Sequence, residues 1–485
     1  MTALVLGLDQ GTSSTRCVAL DDELRERGAA SVPVASAFPR PGWVEQDPEA
    51  IAASAREAIG GALAAAGAAA ADVAALGIAN QTETFVVWER ACGRAIHPAI
   101  VWQDRRTDDA CAALRAAGHE PLVRERTGLE LDATFPATKL RWVLDHVGGA
   151  NAAARDGRLA YGDVAAWLLH RLAGEHTTDA GNAGRSLLFP LAGRDWDDEL
   201  LELFGIPRAL LPPVADSDAI AAVTDEGLPV RAAAGDQQAS LFGLRCWAPG
   251  AAKVTLGTGA FVLVCAGELP PRPPDGVLAS CAWRRAGASA YALEGFVPAA
   301  GAAVDWLARV GVIPSGGQLD ALLSAAADDD AGVVSVPALQ GLGTPAWDAG
   351  TSGALLGLRP GAGRAELVRA VVDGVLHQVA DALDAIAPSV RVETVRLDGG
   401  LARSPWIVQR LADLAGVRVE RSARHDATVL GAATLAGLAA GVWDSPDALP
   451  EVAAGPVAEP AMEAVERERR RERWAAAREL TASWR

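Results

Sequence analysis

Two short stretches of this chain share one plan, and they begin about half a chain apart. "ALVLGLDQGTSSTRCVALDD" runs apolar up to Asp9, breaks at Gly11 and returns from Arg16 to Leu20. "AAKVTLGTGAFVLVCAG" does the same around Gly257, Thr258 and Gly259. Each reads as two strands joined by a tight Gly-Thr turn. A third strand, "VETVRLDGGLARSP", ends on glycines and leads into a helix. The recurrence predicts an α/β protein of two similar halves, each a sheet with helices around it. A boundary near 241–252, "LFGLRCWAPGAA", divides the chain into 1–243 and 244–485. A length of 485 residues, half of them hydrophobic, suits two or three packed domains rather than one.

Composition removes several function classes. A net charge of −17 repels phosphate backbones, so nucleic acid is not an expected partner. The six cysteines (Cys17, Cys92, Cys111, Cys246, Cys265, Cys281) show no metal-ligand spacing and read as small buried hydrophobes of a reducing compartment. "MTALVLGLDQG" lacks the basic region and cleavage site of a signal peptide, so a cytoplasmic enzyme is expected. The Ala-rich run from Ala50 to Gly77 carries Arg56, Glu57 and Asp72, which points to a surface-packed helix and not a membrane span. "GELPPRPPDG" and "AAADDDAG" read as loops. The tail "AVERERRRERWAAARELTASWR" reads as a charged helix that docks through Val465, Trp474 and Leu480, with its charges solvated. Only two lysines, Lys139 and Lys253, stand among 44 basic residues, which suggests that each is kept for its compact ammonium.

The turns carry the first chemistry. Gly, Thr and Ser in a tight turn gather backbone N–H groups and hydroxyls into a concavity that suits phosphate. Two such loops on matching hairpins could clamp a polyphosphate between the halves. Asp9 would then face phosphate, which requires an intervening cation and points to Mg²⁺. In "AAAGDQQASLFG", Asp236 follows a small-residue strand and opens a helix. It is either a helix N-cap or a group at the sheet's carboxyl edge, where α/β proteins bind ligands. A carboxylate there can accept a proton from a hydroxyl that attacks a phosphoryl group. A further stretch, "NQTETFVVWER", places polar residues and Glu83 directly before an apolar strand. Buried polar groups need partners, within the protein or in a ligand.

"DQGTSSTR", "PGWVEQDP", "NQTETFVVWER", "AIVWQDRRT", "GDQQASLFG", "LGTGAFVL", "YALEG", "PALQGLGTPAWD" and "LDGGLARS" occur in an order that resembles the FGGY carbohydrate kinases. Within that family the likeness is nearest to the glycerol kinases, and it extends through "RSLLFPLAGRDWDDELLELFGIPRALLPPV". The resemblance implies two ribonuclease-H-like (actin- or hexokinase-like) domains closing on ATP and a polyol or sugar in a central cleft. By position, Asp236 is implied as the general base. Thr82, Glu83, Trp102, Thr134, Gln237 and Phe261 are implied, with Asp236, as the polyol pocket. Thr12, Ser13, Ser14 and Arg16 would line the phosphates from one side, and Thr258 and Gly259 from the other. Gly301, Asp305, Gly399, Gly400 and Ser404 would face the rest of the nucleotide. Asp9, through water, and Asp236 would hold Mg²⁺.

Two departures stand out. Glycerol kinases usually carry Arg at the position of Thr82 and Tyr at that of Thr134. Replacing a guanidinium and an aromatic wall by small hydroxyls predicts a polyol, or a C4–C5 ketose of the xylulose or ribulose type, larger than glycerol. Glycerol itself remains the substrate if a neighbour fills the gap. The segment before "GDQQ" lacks the loops tied to sugar-bisphosphate and phosphotransfer control in some relatives, so neither control is expected. From a different class, an actin-like ATP switch would share the fold but needs no Glu83, Trp102 and Asp236 together. The expected partners are ATP and a small polyol or sugar, with no nucleic acid and no membrane; a homodimer is left open.

Overall fold

The Gly11 amide donates to the Ser14 carbonyl at 3.0 Å, and this closes the first tight turn. In the computed structural model, which describes residues 4–313, 318–326, 332–424, 426–451 and 455–484, the strands on either side pair as the apolar runs require. β1 (Leu4–Gln10) and β2 (Ser14–Leu20) are antiparallel, with Asp9 opposite Arg16. β3 (Glu26–Pro33), β4 (Val73–Asn80), β5 (Ala222–Val223) and β6 (Pro229–Gly235) complete a sheet of order β5-β6-β4-β1-β2-β3. β1, β4 and β6 run parallel.

The second hairpin repeats this design. β7 (Ala251–Leu256) and β8 (Ala260–Gly267) are antiparallel around Gly257–Gly259. With β9 (Leu278–Arg285), β10 (Ala288–Val297), β11 (Thr394–Asp398), β12 (Arg418–Arg421) and β13 (Val457–Ala458), the order is β9-β10-β8-β7-β11-β12-β13. β3-β2-β1-β4-β6 in the first sheet and β10-β8-β7-β11-β12 in the second have the same order and the same parallel and antiparallel pairings. This is the ribonuclease-H-like arrangement expected twice over.

α1 (Pro48–Ala66) is capped by Asp47 and buries Ile51, Ala55, Ala58, Ile59 and Ala62. The helix read over 50–77 ends at Ala66, because Gly67 turns left-handed and Val73 begins β4. Among the described residues no helix is long and apolar enough to cross a membrane. α2 (Ala180–Gly184) is capped by Asp179, whose carboxylate accepts from the Gly181 and Asn182 amides. α3 (Asp236–Gly243) follows β6 without a break. The long α4 (Arg364–Ile386) backs the second sheet, and its apolar face enters the same core as β7, β8 and β11.

α5 (Ala427–Ala439) comes late in the chain yet shares a core with β1, β4 and β6 of the first sheet. It meets α3 at backbone distance: a Cβ on Gly431 would lie 1.7 Å from the Ala239 carbonyl oxygen. Any side chain there would force the two helices apart.

Three expectations need correction. In α6 (Ala464–Ser483), Trp474 is buried and stacks on His377, but Val465 and Leu480 are exposed. Nor is its charged face simply solvated, because Arg471 and Arg478 pair with Asp381 of α4. Five cysteines are buried as expected, but Cys92 is exposed. The loop expected at "AAADDDAG" lies mostly in 327–331, outside the described residues.

Candidate active site

Asn80 ends β4, and the polar run after it divides into two groups. Asn80 exchanges hydrogen bonds with Asn182 of α2 (3.0 and 2.9 Å). Gln81 Nε2 donates to Gln10 Oε1 (3.1 Å) and Gln46 Oε1 (2.9 Å). Thr84 Oγ1 donates to Gln81 Oε1 (3.0 Å) and accepts from the Trp102 amide (3.1 Å). These three residues pair inside the protein and tie "NQTET" to "DQGT" and "WVEQDP". Glu83 does not join them. Its φ of 62° is a left-handed conformation rare for a residue with a side chain. It turns the carboxylate toward the cleft, where it is 6 % exposed.

The partner waiting there is Arg185, the residue that terminates α2. Arg185 Nε donates to Glu83 Oε1 at 2.6 Å, and Nη1 donates to Glu294 Oε2 on β10 at 2.6 Å. The guanidinium lies over the Phe135 ring at 5.3 Å, and Nη2 has no acceptor among the described residues. Burial would lower the Arg185 pKa; Glu294 and Glu83 outweigh it and hold the group charged. Glu294 also accepts from Gln238 Nε2 (3.3 Å) and from Ser280 Oγ. Sequence reading missed Arg185. Its only signal was an Arg in an otherwise apolar run, "RSLLFPL", with no local partner.

Thr82 and Thr134 differ in how their hydroxyls are used: that of Thr134 is bonded within the protein, and that of Thr82 has no hydrogen-bond partner among the described residues. The Thr82 methyl packs on Gly235, 2.4 Å from where a Cβ there would sit. Thr134 Oγ1 donates to Asp132 (2.6 Å), which also takes two hydrogen bonds from Arg105 (2.7 and 3.0 Å). Lys139 lies beneath this turn, fully buried, and donates to the carbonyls of Thr134 (2.8 Å), Val101 (3.3 Å) and Trp102 (3.5 Å). Trp102 Nε1 donates to Thr12 Oγ1 at 3.0 Å, joining the implied polyol pocket to the first glycine turn. "PGWVEQDP" and "VWQDRRT" are structural at their centre. Arg106 lies over the rings of Trp43 and Trp142, which meet each other edge to face, and is paired with Glu45 and Asp104.

Asp236 is not the N-cap. Gly235 holds that position, and Asp236 is the first residue of α3, its Oδ1 accepting from the Gln237 amide at 2.7 Å. Burial, then repulsion from Glu83, pushes its pKa up to about 6, against the pull of Lys253. Asp9 is raised to about 7, by burial and by Asp236, with Arg16 opposing. Asp9 Oδ1 is buried without a partner. Two mutually repelling carboxylates, one with an orphaned oxygen, fit a divalent cation. Among the described residues no three His, Cys, Asp or Glu form a direct metal cluster. Lys253, the second lysine, is also fully buried; its Nζ reaches Gln237 Oε1 (2.6 Å) and Thr255 Oγ1 (2.9 Å).

The nucleotide candidates divide as well. Ser13 and Thr258 are exposed at the tips of the two turns, and Arg16 pairs with Glu26 at 3.8 Å. Gly259, Gly301 and Gly399 meet the protein's own backbone: a Cβ on each would lie 2.8, 2.6 and 2.5 Å from the carbonyl oxygens of Val297, Gly257 and Leu256. Gly400 faces open space. Asp305 is exposed on the helix Gly301–Arg309. The Ser404 hydroxyl is buried, engaged with Asp320 and capping the helix Pro405–Ala415. Phe261 packs on Phe296 with ring centroids 5.0 Å apart and the ring planes tilted by 36°.

Residues 4–243 match the N-terminal domain of the FGGY family of carbohydrate kinases, and residues 252–440 match its C-terminal domain. The chain is 46 % identical to a glycerol kinase of Aromatoleum aromaticum, covering 99 % of both chains. It is 46 % identical to one of Methylobacterium nodulans, covering 92 % of this chain and 91 % of the other. A Plasmodium falciparum glycerol kinase solved with ADP superposes with a TM-score of 0.93 at 26 % identity, over 99 % of this chain and 98 % of that one. A ligand-bound xylulose kinase of Lactobacillus acidophilus superposes with a TM-score of 0.90 over 99 % of each chain; at 20 % identity it speaks to the fold alone.

Proposed function

The chain belongs to the FGGY family of carbohydrate kinases, and from that premise we propose which polyol it phosphorylates and which residues do the work. It is an ATP-dependent kinase of a small polyol or sugar, and family membership decides against the ATP switch raised above. The proposed substrate is longer than glycerol by one or two carbons, phosphorylated on a primary hydroxyl. One observation carries this: Thr82 lays its methyl on Gly235 and Thr134 spends its hydroxyl on Asp132, so neither position supplies the guanidinium or the aromatic wall usual in glycerol kinases. A second reading, glycerol, is favoured by Arg185, which brings a guanidinium to Glu83 from another part of the chain.

In either case the roles are the same. Glu83 and Arg185 orient the hydroxyls, with Trp102, Gln237 and Phe261 as the remaining walls. As the primary hydroxyl oxygen attacks the γ-phosphorus, the bond from that phosphorus to the β–γ bridging oxygen breaks, ADP leaves with the electron pair, and the hydroxyl proton passes to Asp236. The turns at Thr12–Ser14 and Thr258–Gly259, with Arg16, hold the phosphates from the two sheets, and Gly400 leaves space on the nucleotide side. Asp9 and Asp236 would hold Mg²⁺, which when bound neutralises charge on the transferring phosphates. The reading is that of a cytoplasmic enzyme.

The test is an ADP-release screen over C3–C6 polyols and ketoses. The expected result is a C4 or C5 compound with a kcat/KM at least ~10-fold above that of glycerol, about 1.4 kcal/mol of discrimination. A kcat/KM highest for glycerol establishes the second reading instead.

A further inference from the structure

Arg185 spans the two halves of the molecule. On one side it holds Glu83, at the end of β4; on the other it holds Glu294, in the middle of β10. Glu294 is itself fixed by Gln238 and Ser280, so the guanidinium sits in a rigid fork of two buried carboxylates. β10 then runs three residues further to Val297, whose carbonyl lies against Gly259 of the second phosphate turn. A continuous chain of packed groups therefore joins Glu83, Arg185, Glu294, Val297 and Gly259.

We propose that Arg185 is a positioning residue that couples the polyol pocket to the phosphate-binding turn of the second half. The proposal rests on the kinase reading. Glu83 occupies a left-handed backbone conformation that its surroundings must hold in place. The bond from Arg185 supplies part of that hold, and Arg185 is fixed in turn by Glu294. When phosphate engages the Gly257–Gly259 turn, a shift of β10 moves Glu294, and the guanidinium transmits the shift to Glu83. Polyol and nucleotide affinities are then linked, and by the same factor in each direction.

The experiment is calorimetric titration of the full chain with the preferred polyol, without and with a saturating non-hydrolysable ATP analogue and Mg²⁺. In the wild type the analogue should change the polyol Kd by about fivefold or more. In Glu294→Gln the side-chain oxygen still accepts from Ser280 and Gln238, but the amide cannot accept from Arg185. The ratio of the two Kd values should then fall to within about twofold of unity. Arg185→Lys keeps the charge but lacks the two-edged fork, and carries the same expectation if Glu294→Gln does not fold. A merely structural role would weaken polyol binding equally in both conditions and leave the ratio unchanged. A wild-type ratio preserved in both variants, or a wild-type ratio of unity, overturns the coupling. If no C3–C6 polyol or ketose gives heat in either condition while the analogue still binds, the kinase reading falls, and the coupling falls with it.

Discussion

Glu83 Oε1 accepts a hydrogen bond from Arg185 Nε at 2.6 Å, across 102 positions of sequence, and both side chains are buried. Arg185→Ala would leave Glu83 and Glu294 facing each other without a cation. Removing one partner of a buried ionic cluster costs about 3–5 kcal/mol. Urea denaturation at pH 7 measures it, and a loss below about 1 kcal/mol would show that solvent reaches the cluster freely.

Asp236 is assigned the substrate proton, so it must be ionised to act. Its pKa is pushed up to about 6, so kcat/KM should fall tenfold per pH unit below that value and level off above it. Asp236→Asn should lower kcat by ~10²–10⁴-fold with little change in ATP affinity. An unchanged kcat removes Asp236 from the mechanism.

Thr82→Arg combined with Thr134→Tyr adds a guanidinium and an aromatic wall where the present side chains are two small threonines. The expected outcome is a rise of ~10-fold or more in kcat/KM for glycerol relative to a C5 substrate. Competing-substrate assays read this directly. A shift toward the larger substrate would show that the pocket is not organised around positions 82 and 134.

Lys139 is buried with three carbonyl partners, and burial lowers its pKa to about 8, against nearby carboxylates. The unfolded chain therefore binds the proton more tightly between about pH 8 and 10.5, and this residue's contribution to stability grows as pH rises through that window. Relative to Lys139→Met, wild-type stability should gain roughly 1–2 kcal/mol between pH 8 and 10. Denaturation at both pH values checks it; a constant difference would mean that the ammonium titrates as in water.

Much of this was legible in the residues. The apolar runs ending at Asp9 and Leu256, and the glycine turns after them, required two hairpins, because strand pairing and turn geometry are set by neighbours in sequence. The order of motifs implied the rest of the fold and the kinase chemistry. The two lysines singled out by their rarity are both fully buried, which composition does not show. The C-terminal helix was misjudged at Val465 and Leu480, because a charged helix does not declare in sequence which stripe docks.

The question raised by "NQTETFVVWER" shows where sequence stops. Local pattern determined that polar groups precede a buried strand, and it singled out Glu83. It could not say that Asn80, Gln81 and Thr84 pair with Asn182, Gln10, Gln46 and Trp102, nor that Glu83 takes its cationic partner from Arg185, 102 positions further on. Those choices belong to the tertiary structure. A buried polar group takes whichever partner packing brings within hydrogen-bond reach, and for Arg185 those partners lie 102 and 109 residues away on different halves of the molecule.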